Sequence, residues 1–155
     1  MDLKEIADGL SAKFNLSGLT IEDGELALEI DGMPILLGDA GGEAILMTGF
    51  IGEAPSEGGE AFANLLLEAT TALMDTKSAA LARNPETGAY MLVQRLVQDR
   101  LALDAFCDEL TAFVNLLETW RKMLEDFRPA AAAAKTAADM QPGAQELSMS
   151  GFMQV

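Results

Sequence analysis

Glu22-Asp23-Gly24-Glu25-Leu26-Ala27-Leu28-Glu29-Ile30-Asp31-Gly32-Met33-Pro34-Ile35-Leu36-Leu37 is the stretch that decides the fold. Two Asp-Gly pairs stand between short apolar runs. A two-residue type I′ turn needs positive φ at both central positions, and Asp-Gly is among the few pairs that supply it cheaply. The spacing predicts strands over Leu19 to Glu22, Glu25 to Ile30 and Met33 to Leu37. Asp39 to Gly42 reads as a looser turn, and Ala44 to Ile51 as a further strand. Together they make an antiparallel meander.

Helices flank it. Leu3, Ile6, Ala7, Leu10 and Phe14 follow 3-4 spacing, Asp2 and Glu5 have the spacing of a capping box, and Gly18 is expected to end the helix. After the loop from Glu53 to Gly59, a second helix is expected from about Glu60 to Asp75, with Phe62, Leu65, Leu66, Ala69 and Leu73 on one face. Ser78 to Arg83 and Ala89 to Leu96 read as two strands split by the turn Asn84-Pro85-Glu86-Thr87-Gly88. A long last helix is expected from about Asp99 to Arg128, its stripe running from Leu103 through Phe113 and Trp120 to Phe127. Pro129 is expected to end it. The reading is one α+β domain over residues 1–128 and an Ala-rich, flexible tail over 129–155, in which Phe152 and Met153 are the candidate anchors.

Composition narrows the function. The 155 residues carry 25 acidic and 10 basic side chains, a net charge of -15, yet half of them are hydrophobic. Such a chain is repelled by phosphate backbones and anionic membranes, so neither nucleic acid nor a membrane surface is an expected partner. It can nonetheless bury a core. The single cysteine, Cys107, excludes an internal disulfide and a cysteine zinc cluster, and a buried structural thiol is the expectation. There is no histidine, which removes Ser-His and Cys-His catalysis and the commonest transition-metal ligand. Walker, GxGxxG, GxSxG and HExxH motifs are absent, so no enzyme, cofactor or metal is expected. The start of the chain lacks the pattern of a signal peptide, and no apolar run approaches the ~20 residues of a membrane span. The expected location is the cytoplasm.

The strands carry more grease than one solvated sheet face allows. Glu25 to Asp31 alternates, but Ile35-Leu36-Leu37, Ile45-Leu46-Met47 and Tyr90-Met91-Leu92-Val93 are continuous. Either helices cover both faces, with a second subunit's help, or part of a face stays open for a partner's apolar segment. The second helix is apolar beyond its core stripe, at Leu67, Ala72 and Met74, which points to a homodimer.

Two stretches carry a family resemblance. Ala80-Leu81-Ala82-Arg83-Asn84-Pro85-Glu86-Thr87-Gly88-Ala89-Tyr90-Met91-Leu92 resembles the late hairpin of the class I type III secretion chaperones, the Tir-chaperone or CesT-like family. Ile45-Leu46-Met47-Thr48-Gly49-Phe50-Ile51-Gly52, with Pro55 after it, is similar to the strand and loop before that family's second helix. The resemblance spans about residues 1 to 128 and rests on the order α-β-β-β-α-β-β-α rather than on an invariant motif. It implies a twisted antiparallel sheet in a cytoplasmic homodimer that uses no ATP and binds the N-terminal region of a secreted effector in extended form. The groove transfers as a region. Within it the candidate residues are Leu10, Phe14, Leu28, Ile30, Ile35, Leu37, Met47 and Phe50, and the candidate dimer-interface residues are Phe62, Leu65, Leu66 and Leu73. The competing readings are another non-enzymatic binding or regulatory module on the same fold, and an acidic mimic that inhibits a basic protein.

Overall fold

Both Asp-Gly pairs close two-residue hairpins. Asp23 and Gly24 have φ of 51° and 81°, and Asp31 and Gly32 have 51° and 73°, the left-handed values a type I′ turn requires. In this computed structural model, residues 1–72, 79–99 and 101–140 are described, with only the backbone given for 72 and 128–140. The hairpins join β1 (Ile21–Glu22) to β2 (Glu25–Ile30) and β2 to β3 (Met33–Ala40). β3 runs three residues past the expected Leu37. The turn to β4 (Ala44–Gly52) is tightened where the Asp39 carboxylate accepts the Gly42 N–H at 2.9 Å. β5 (Ala79–Arg83) and β6 (Tyr90–Val97) complete a six-stranded antiparallel sheet in the order β1-β2-β3-β4-β6-β5. The expected strands are there, the first of them cut from Leu19–Glu22 to the two residues of β1.

One sheet face is covered. Leu26 and Leu28, Ile35 and Leu37, Ile45 and Met47, and Leu92 and Leu96 are buried beneath α1 (Leu3–Phe14) and α3 (Leu103–Met140). α1 starts on the expected capping box, Asp2 accepting from Glu5 N and Glu5 from Asp2 N. It ends earlier than Gly18 suggested: Asn15 adopts the left-handed C-cap position at φ 53°, where its short polar side chain is tolerated. α3 lays Phe106, Leu110, Phe113, Leu117, Trp120 and Leu124 on the sheet. It crosses β4 so closely that a Cβ on Gly49 would stand 2.6 Å from a Leu117 methyl. α2 (Gly59–Ala72) buries Phe62 between Tyr90 and Phe127, ring centroids at 5.3 and 5.0 Å.

The expectation that Pro129 ends the last helix is corrected. α3 continues through Pro129 to Met140. Proline costs a helix one hydrogen bond and a clash with the preceding turn. Here five alanines follow it, the best of helix formers, and they carry the helix on. Residues 141–155, and with them the Phe152 and Met153 anchors, lie outside the described residues.

Candidate partner-binding surfaces

β1 is too short to cover β2. It pairs only Ile21 with Leu26 and Glu22 with Glu25, so among the described residues no strand lies on the outer side of Ala27 to Ile30. The hairpin register points the N–H and C=O of Ala27 and Glu29 toward that side, alternate residues turning to β3. An open edge of this kind is a template for another strand.

Beside the edge lies a cleft of about 610 Å³ between the end of α1, the loop after it, β2 and α3. Its walls are Leu10 and Phe14 from α1, Leu16 and Leu19 from the loop, Leu28 and Ile30 from β2, and Cys107, Leu110 and Val114 from α3. Ser17, Glu29, Asp31, Thr111 and Asn115 add polar groups. Phe14 is 55% exposed and Leu16 45%, large side chains that a folded protein normally puts away. Near the cleft, α1 and α3 are tied by Lys13 and Asp104, Nζ to Oδ1 at 2.6 Å. That hydrogen bond holds the Lys13 ammonium above its usual range and the Asp104 carboxyl below its own. Both side chains face water, so the tie orients the helices more than it stabilises them.

The uncovered sheet face is a second surface. Its cross-strand rows set Leu36 beside Thr48, Val93 and Ala80, Leu46 beside Arg95, and Phe50 beside Met91 and Ala82. Leu46, Phe50 and Val97 are exposed there, and Leu67 of α2 is 70% exposed.

The eight groove candidates separate into three places. Leu10, Phe14, Leu28 and Ile30 meet at the cleft, the first and third buried in its floor. Ile35, Leu37 and Met47 are at most 1% exposed and belong to the core, where no partner reaches them without lifting a helix from the sheet. Phe50 is on the opposite face. Of the interface candidates, Phe62 and Leu66 are buried in the core, Leu65 is half-buried against it, and Leu73 lies outside the described residues. Sequence reasoning missed Leu16 and Leu19, which sit in a loop where no period marks them, and Leu110 and Val114, whose helical spacing looks the same for cleft and core. Among the described residues no group of three or more Cys, Asp and Glu side chains is placed to hold a metal, and no helix is long and apolar enough to cross a membrane.

Solved structures place this architecture. The chain is similar to a chain of the HopA1–SchA chaperone–effector complex, at 21% identity and a TM-score of 0.63, over 77% of this chain and 92% of that one. It is similar to a chain of the ExsC–ExsE complex, at 17% identity and a TM-score of 0.66, over 80% and 97%. A chain of the heterodimeric ExoU–SpcU complex from the type III secretion system of Pseudomonas aeruginosa matches at 17% identity and a TM-score of 0.62, over 78% and 98%. At these identities the likeness is one of fold. No curated protein matches the sequence. The family model described as the Tir chaperone protein (CesT) family matches residues 5–121, most of the chain, and the chain belongs to that family.

Proposed function

We propose that the protein is a cytoplasmic chaperone of type III secretion. It binds the N-terminal chaperone-binding segment of a secreted effector in extended form and keeps it soluble and competent for export, without nucleotide. Membership of the CesT family supports this, as does likeness to chains from complexes described as chaperone with effector. The observation that carries the reading is the open edge of β2 beside an apolar cleft. A client strand can bond to the backbone of Ala27 and Glu29 while alternate side chains enter between α1, β2 and α3. Backbone pairing is tolerant of sequence, and the cleft adds selectivity.

The proposed working unit is a homodimer, with the uncovered sheet face and α2 as the interface. Leu46, Phe50, Val97 and Leu67 would leave water on association. Catalysis has no place in this reading.

Co-expression of the full chain with effectors of its own secretion system tests it. A stable complex that loses the effector on deletion of its N-terminal segment is expected. Failure with every effector would overturn the reading.

A further inference from the structure

The charge around the open edge is one-sided. Between Lys13 and Lys77 the sequence holds twelve acidic residues and no Lys or Arg, and this stretch builds β1 to β4 and α2. On the face of β2 turned away from the helices stand Glu25 and Glu29, and Glu22 lies directly opposite Glu25 on β1. Like charges so placed repel each other. None of Glu22, Glu25, Glu29 and Asp31 has a salt bridge among the described residues. Glu29 and Asp31 also line the cleft whose other walls are Leu16, Leu28, Ile30 and Val114. The same edge thus sets carboxylates beside an apolar cleft wall.

We infer that the segment received at this edge is an amphipathic strand in which apolar residues alternate with Lys or Arg. This rests on the proposed docking of an extended client at β2. The strand alternation sends one set of client side chains toward the helices and the other toward Glu29 and Glu25. A cation beside Glu29 gains a cross-strand partner. One in line with β1 reaches Glu22 and Glu25 and relieves their repulsion. An acidic strand of equal apolar content meets four carboxylates and is turned away.

Short labelled peptides in which Val alternates with Lys, Ser or Glu, titrated by fluorescence anisotropy against the full chain, decide the matter. The Lys peptide should bind about tenfold tighter than the Ser peptide and the Glu peptide weaker still, with the difference shrinking at high salt. The triple variant E22Q/E25Q/E29Q should bring the Lys peptide down to the Ser peptide's affinity. The triple variant E60Q/E68Q/E86Q removes the same charge elsewhere and should leave the order intact. Equal loss in both variants would assign the preference to net charge and overturn the inference. Binding of all three peptides alike would overturn it while the docking at β2 stands. Binding of none would overturn both.

Discussion

Single residues set the limits on how this sheet and its helices meet. Gly49 is the tightest: a Cβ there would stand 2.6 Å from one Leu117 methyl and 3.1 Å from the Phe113 ring. Gly49→Ala is expected to lower stability by about 1–3 kcal/mol, read from urea unfolding. An unchanged midpoint would show that α3 does not rest on β4 there. Burial separates two substitutions that look alike in the sequence. Met47→Asp puts a carboxylate into the core and should unfold the chain, whereas Leu16→Asp, on an exposed loop, should leave the circular dichroism spectrum intact and weaken client binding. The Lys13–Asp104 pair gives a pH signature of known sign. The lowered Asp104 carboxyl adds stability above its unfolded value, near 3.8, and loses it as pH falls through the folded one. The raised Lys13 ammonium adds stability below its unfolded value, near 10.5, and loses it as pH rises through the folded one. In Lys13→Met the Asp104 carboxyl should titrate upward toward its ordinary value when followed by NMR. An unmoved titration would mean the tie is absent in solution.

At the scale of elements, locally coded features were legible and tertiary ones were not. Both Asp-Gly hairpins and the Asp2–Glu5 capping box follow from a few adjacent residues, and the structure has them where the sequence places them. The early stop at Asn15 was hidden because asparagine and glycine both serve as left-handed caps, and Gly18 was the louder signal. Alternation along β2 marks two unlike faces but does not say which helix covers one of them. Hence Ile35, Leu37 and Met47, named as groove candidates, lie in the core, while the cleft borrows Leu16 and Leu19 from a loop. Pro129 misled for a related reason: its local penalty is real, and the alanines beyond it outweigh it over several residues. Pro129→Ala should restore a helical N–H and slow amide exchange at Ala130 to Ala134. Unchanged exchange would contradict a continuous α3.

For the whole molecule, the excess of apolar residues and the excess of acid divide the surface between them. One sheet face is spent on the core, the other exposes Leu46 and Phe50, and the β2 edge opens beside a cleft. Net charge of -15 keeps such a surface from associating at random. In the proposed dimer the double variant Leu46→Asp with Phe50→Asp should elute as a folded monomer by size exclusion with light scattering. A dimer unaffected by both changes would move the interface elsewhere. The central claim concerns the other surface, that a client strand adds to β2. Hydrogen exchange at the Ala27 and Glu29 amides, measured with and without the N-terminal segment of a bound effector, tests it most directly. Both amides should become strongly protected on binding, together with shifts of the Leu16 and Val114 methyls. Protection confined to β5 or to the uncovered sheet face, with Ala27 and Glu29 still exchanging freely, would contradict it.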